Sequence, residues 1–148
     1  MTKKILFLHG LESLPGGTKA QHLEAAGYDV LNPALPKNNF EESVAIAQEE
    51  IDLESPDVIV GSSRGGAIAM AVNPRGAKLV LVAPAWKHFD VDPASLPRGT
   101  TVLHCPSDSI VHYEDSQALE SAGINLVSCG VDHRMNDVEA LENLLASI

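Results

Sequence analysis

The chain has 148 residues, 45% hydrophobic and 20% charged, enough to bury one sizeable core in a single domain over 1–148. Ten Lys and Arg against 20 Asp and Glu leave a formal charge of −10, which repels phosphate backbones and anionic membrane surfaces, so neither nucleic acid nor a membrane is an expected partner. The two cysteines, Cys105 and Cys129, are too few for a disulfide framework and lack the paired spacing of a zinc site.

Short apolar, β-branched runs alternate with segments of helical periodicity. The runs predict strands over Lys4 to His9, Asp29 to Asn32, Asp57 to Gly61, Lys78 to Val82, Thr101 to Cys105 and Ile124 to Cys129. After the first strand, Thr18 to Ala26 reads as a helix ended by Gly27. Phe40, Val44, Ala47 and Ile51 then fall on one helical stripe, with Asn39 and Glu42 closing its first turn as a capping pair. A helix of small residues follows over Gly66 to Val72. Ala83 to Gly99, holding Pro84, Pro93, Pro97, Trp86 and Phe89, reads as a long irregular loop of the kind that often binds ligands. Tyr113 to Ala122 reads as a helix ended by Gly123. A terminal amphipathic helix follows, capped by Asn136 with Glu139 three residues later, and Val138, Leu141, Leu144, Leu145 and Ile148 form its buried face.

Repeated βα alternation, with little polar alternation inside the strands, predicts an α/β fold: a three-layer α/β/α sandwich around a mainly parallel sheet of about six strands. The longest apolar runs, such as Leu79 to Ala85, are too short to span a bilayer. MTKK leads directly into the first strand without a signal peptide, which makes the cytoplasm the expected location.

Gly61-Ser62-Ser63-Arg64-Gly65 matches G-x-S-x-G between the strand DVIV and the small-residue helix, where a sharp turn would present Ser63 and the glycines would avoid collision. A glycine-rich turn after a buried strand is the plain alternative. A serine hydroxyl needs a base in hydrogen-bond reach and a third group to hold that base's tautomer. Asp108 follows the strand TTVLHC and His133 follows INLVSC, so both sit just past carboxyl ends of strands, where open α/β sheets build their sites. His112 is the rival base, and Asp90 and Asp92 are rival acids. Asp132 reads as a brace for the loop beside His133. Bland roles are expected of His9, His22, His88 and His104. Two amide donors would hold the oxyanion: that of Arg64 and, from the His9-Gly10-Leu11 segment, that of Leu11. The plain reading of His-Gly here is a strand-ending turn.

Together, FLHGL, GSSRGG, the Asp of CPSDSIV and the GVDHR loop resemble the serial motifs of the α/β-hydrolase superfamily. More narrowly, the short length and the G-S-S-x-G-G and G-x-D-H-R strings are similar to the small, lidless YqiA-like esterase family and its RBBP9/YdeN-like relatives. The resemblance runs from Ile5 to the terminal helix. It implies a triad of Ser63, Asp108 and His133, an oxyanion hole from the amides of Leu11 and Arg64, and hydrolysis of esters or thioesters without cofactor or metal. The chain departs from the superfamily in lacking the usual first two antiparallel strands and a helical cap insertion, so substrate specificity does not carry over.

Arg64 is a charged residue beside the predicted nucleophile. Either it binds a carboxylate or phosphate of the substrate, or, as the acidic composition favours, it forms a salt bridge to a nearby Asp or Glu. His9, Gly10 and Arg64 are candidate substrate contacts. Trp86, with Phe89 and Leu14, could wall a pocket or simply pack. Two other functions fit parts of the pattern: a non-hydrolytic binding protein that keeps the fold, and a phosphate cradle over Gly61 to Gly66. The cradle reading lacks the G-x-G-x-x-G and P-loop signatures and leaves Asp108 and His133 unexplained.

Overall fold

A computed structural model describes residues 2–10 and 15–148. Six strands, β1 (Lys4–Leu8), β2 (Asp29–Leu31), β3 (Val58–Ser62), β4 (Lys78–Val82), β5 (Thr101–His104) and β6 (Asn125–Ser128), pair in the order β2-β1-β3-β4-β5-β6, every pair parallel. The strands lie within a residue or two of their predicted bounds. Alternate side chains of the central strands enter different cores. Leu6, Leu8, Ile59, Leu79 and Leu81 pack with α2 (Phe40–Glu54) and α3 (Arg64–Ala71), while Ile5, Phe7, Val60, Val80 and Val82 pack with α1 (Thr18–Ala25) and α5 (Val138–Ala146). This two-sided burial explains why these strands read as unbroken apolar runs.

The strand order turns around between β1 and β3, and the carboxyl ends of these two strands open a crevice at that switch point. Among the described residues, no helix is long and apolar enough to cross a membrane.

Most helix ends follow the predicted signals. The Asn39 side chain accepts from the Glu42 amide at the start of α2, and Gly27 and Gly123 take positive φ of 97° and 80° after their helices. The segment predicted as one helix over 113–122 divides into α4 (Tyr113–Gln117) and a 3-10 turn, Ala118–Ala122, a tightening common at helix ends. The loop over 83–99 holds two further 3-10 turns, Trp86–Phe89 and Pro93–Ser95.

The start of α5 differs from the expectation. Asp137, not Asn136, is the cap: its carboxylate accepts from the Ala140 amide and also from the Val131 amide. A negative charge suits a helix N-terminus better than a neutral amide, and the Asn136 side chain is taken by Lys19. With the helix entering one residue later, Val138 turns outward at 71% exposure, and Ala140 and Leu144 supply the fully buried contacts.

Candidate active site

β3 ends at Ser62 and α3 begins at Arg64, so the whole reversal falls on Ser63, with φ 56° and ψ −114°. Such a conformation costs a serine about 1–3 kcal/mol and persists only where its neighbours hold it. Here they do. The Ser63 amide donates to the Val82 carbonyl at 2.8 Å, and the Ser63 carbonyl accepts from the amides of Gly66 and Ala85, each at 3.0 Å. A Cβ at Gly61 would collide with the Gly65 carbonyl, and one at Gly65 would collide with the Leu8 carbonyl. Both glycines therefore serve close approach of backbones rather than positive φ. Arg64, as the first residue of α3, has an amide with no acceptor inside the helix.

From the other end of the sheet come Asp108, in the turn after β5, and His133, in the loop after β6. Ser63 Oγ lies 2.9 Å from His133 Nε2, and His133 Nδ1 lies 2.7 Å from Asp108 Oδ2. Because Nδ1 donates to the carboxylate, Nε2 is left as the acceptor of the Ser63 hydroxyl, which is the tautomer a general base needs. Asp132 accepts from the Arg134 amide at 3.0 Å and so braces the His133 loop.

Asp108 has a second histidine on the same oxygen. His104 Nε2 stands 3.0 Å from Asp108 Oδ2 and 3.0 Å from the Val111 carbonyl, two acceptors, so this nitrogen carries the proton. His104 Nδ1 then accepts from the Ser116 hydroxyl at 2.6 Å. Asp108 Oδ1 accepts from the amides of Ile110 and Val111 at 2.8 and 2.9 Å. The carboxylate thus receives four hydrogen bonds with its side chain wholly out of solvent. Burial alone would raise the Asp108 carboxyl, but the His133 bond and the two amides outweigh it and hold the group below its ordinary value.

Ser63 and His133 face a cavity of about 620 Å³, also lined by Gly10, Lys19, Arg64, His88, Phe89, Asp132 and Arg134. This is ample room for a small ligand. A serine, a histidine in the accepting tautomer and an ionised aspartate in hydrogen-bonded series at such a cavity can deliver a nucleophile to a bound acyl group.

No protein-family model matches the chain, and no curated protein sequence matches it either. Solved structures do resemble it. A protein of the alpha/beta superfamily from Xanthomonas campestris superposes with a TM-score of 0.74 at 21% identity, covering 100% of both chains. Alpha/beta hydrolase domain-containing protein 10 from mouse gives 0.75 at 16% identity over 99% of this chain and 88% of that one. The esterase domain of a Rhodothermus marinus protein gives 0.72 at 21% identity over 96% and 82%. The chain has the α/β-hydrolase fold.

Within this minimal α/β-hydrolase fold, several predicted site residues occupy other places. Leu11 and Leu14 lie outside the described residues. Gly10 does line the cavity, where a Cβ would sit 3.4 Å from that of Ser63. His9 does not: it is buried, and its Nε2 accepts from the Leu35 amide at 3.2 Å, tying the 32–39 segment to the end of β1. Trp86 also turns away from the cavity, because its indole N–H donates to the Asp115 carbonyl at 3.0 Å and its ring packs on the α2 and α3 core. Phe89 supplies the aromatic wall instead. His112 is exposed at the start of α4, Asp90 is exposed, and Asp92 caps a 3-10 turn.

The salt bridge expected of Arg64 is not there. Among the described residues its guanidinium meets no carboxylate; it donates to the Pro36 carbonyl at 2.9 Å and the Ser43 hydroxyl at 3.2 Å, beside the rings of Phe40 and Phe89. His104, expected to be bland, is instead fully buried and bonded to Asp108. A signal for it was present. In β5, positions 102 and 104 face the same core, so a histidine there must find buried partners.

Proposed function

We propose that the protein is a serine hydrolase that cleaves small carboxylic esters through an acyl-enzyme on Ser63, as a compact, cap-less enzyme of the YqiA-like kind. The observation that carries this reading is the unbroken series Ser63 Oγ, His133 Nε2, His133 Nδ1, Asp108 Oδ2, open to a cavity at its serine end. The esterase and hydrolase names of the structural neighbours support it.

In the first half-reaction His133 takes the Ser63 proton as Oγ bonds to the ester carbonyl carbon. The resulting oxyanion is held by the amide of Arg64 and that of Leu11. Collapse of the intermediate breaks the carbon to alkoxy-oxygen bond, and His133 returns the proton to the departing alcohol. A water molecule then repeats the sequence: His133 accepts its proton, the hydroxide oxygen bonds to the acyl carbon, and Ser63 leaves with that proton. Asp108 keeps the imidazole oriented and balances its transient positive charge. Thioesters present the same carbonyl chemistry with a thiol as leaving group.

Wild type and Ser63→Ala should be treated with a fluorophosphonate probe and read by intact mass, alongside turnover of p-nitrophenyl acetate and butyrate. One adduct and measurable turnover in the wild type, both absent from Ser63→Ala, is the expected result. A folded wild type that takes no adduct would remove the nucleophile and favour a non-hydrolytic binding protein.

A further inference from the structure

The described wall of the cavity beside Ser63 carries a charge opposite to that of the molecule. The chain holds twice as many acids as bases, yet the described cavity wall holds three bases, Lys19, Arg64 and Arg134, and one acid, Asp132. Arg64 is the unusual member of the set. It is 3% exposed, no carboxylate among the described residues pairs with it, and its buried Nε has no hydrogen-bond partner. A desolvated guanidinium normally has an acid against it, since removal from water is otherwise uncompensated. Its neighbours offer only the Pro36 carbonyl, the Ser43 hydroxyl and two ring faces, with the guanidinium carbon 5.7 Å from the Phe40 centroid and 5.6 Å from that of Phe89. Lys19 is held over the same cavity by the Arg134 carbonyl and the Asn136 side chain; burial pushes its ammonium down to about 8, with the charge of Asp132 opposing that shift, so an anion in the cavity would favour its charged form.

Building on the hydrolase reading above, we propose that the substrate is an anionic ester, one that carries a carboxylate in addition to the bond cleaved at Ser63, and that Arg64 and Lys19 select it. A carboxylate in the cavity supplies the acid that Arg64 lacks among the described residues. Charge-assisted bonds of this kind favour an ionised ligand over a neutral one of the same shape. The acidic exterior meanwhile keeps anions from adhering elsewhere.

The test compares near-isosteric esters that differ in one carboxylate: p-nitrophenyl hemiadipate against p-nitrophenyl hexanoate for the acyl side, and 4-acetoxybenzoate against its methyl ester for the leaving-group side. In wild type at low salt, kcat/KM for the anionic member of at least one pair should exceed that of its neutral partner by about tenfold or more, and 0.5 M NaCl should shrink the ratio. Arg64→Met should lower the ratio about tenfold, and Lys19→Met, at a position only half-buried, about threefold. Ratios near one in wild type for both pairs would overturn the proposal, as would a preference that survives in both variants. An equal loss on both members of a pair would also overturn it, since that pattern belongs to a group acting on the oxyanion. If Arg64→Met does not fold, as judged by thermal melt, the Lys19→Met ratio and the salt response decide. Neutral-ester turnover that disappears in Ser63→Ala keeps the hydrolase reading standing even where the anion preference fails.

Discussion

Two serine and histidine pairs converge on one carboxylate oxygen. Ser63 bonds His133 and Ser116 bonds His104, and both imidazoles donate to Asp108 Oδ2. Residue types and distances barely distinguish them. Surroundings do. Ser116 lies inside α4 at 0% exposure, in a relaxed helix, with no part in the cavity wall. Ser63 stands on a strained turn at the mouth of a cavity, beside the first amide of α3, which has no acceptor inside the helix. The inner pair anchors the aspartate, and the outer pair is the one that opens to the cavity. A search for serine, histidine and aspartate in proximity would find both; only access and backbone geometry separate them.

The sharpest way to break this contrast is a pair of alanine substitutions. On the proposed function, Ser63→Ala should reduce kcat for p-nitrophenyl butyrate by about 10⁴-fold or more, while Ser116→Ala should stay within about threefold of wild type and lose about 1–2 kcal/mol of stability in urea melts. Comparable losses of turnover from both would mean that the inner pair takes part in the reaction.

Asp108 serves both pairs, so Asp108→Asn should damage both. Turnover should fall by about 10³- to 10⁴-fold, because whichever way the amide is turned its NH2 faces two N–H donors, either the backbone amides of Ile110 and Val111 or the two imidazoles, and the His133 tautomer is no longer enforced. The same variant tests the electrostatics. The Asp108 carboxyl is depressed below its ordinary value of 3.8, so the unfolded chain binds the proton more readily than the fold does. Its contribution is therefore fully present above that value and is lost as pH falls through the lower, folded one. Melts between pH 5 and 3 should show wild type losing stability more steeply than Asp108→Asn; parallel curves would contradict the assigned depression.

A smaller effect is expected of His104→Phe, which removes the inner anchor and leaves the Val111 carbonyl and Ser116 hydroxyl unpaired. Stability should drop by about 2 kcal/mol or more, with kcat reduced about tenfold and KM little changed, as suits a positioning residue. A His104→Asn variant that regains kcat without regaining stability would separate orientation of Asp108 from packing.

The least perturbing test extends the contrast to another nucleophile. Cys129 is 3% exposed, and burial, with the nearby charges of Glu139 and Asp137 adding to it, pushes its thiol up to about 11. It should resist iodoacetamide at pH 8 in the folded protein and react after denaturation, as mass spectrometry would show. Rapid labelling of the folded protein would mean that burial is a poor guide to reactivity in this molecule.

Legibility followed the range of each interaction. Strand positions, the Asn39 cap and the glycine-flanked turn at Ser63 rest on neighbours within a few residues, and short-range pattern carries that information. The α5 cap lies one residue later than the pattern predicts because Asn136 and Asp137 are both competent caps. The choice was made by Lys19, more than a hundred residues away, and by the Val131 amide. His9 and Trp86 lie off the cavity wall for a related reason: each follows a strand at the site end of the sheet, but the direction its side chain takes depends on Leu35 and Asp115.

What the amino-acid order determined by itself was the α/β alternation, the six strands and the points at their carboxyl ends where Ser63, Asp108 and His133 stand. Each is a matter of periodicity or of a local turn. Only the tertiary structure decided that Asp108 would hold two histidines, that Ser116 would be sealed while Ser63 opened to a cavity, and that Arg64 would be buried with no acid among the described residues beside it. Those outcomes depend on which distant segments share a volume and how much water is left between them, quantities set by packing across the sheet.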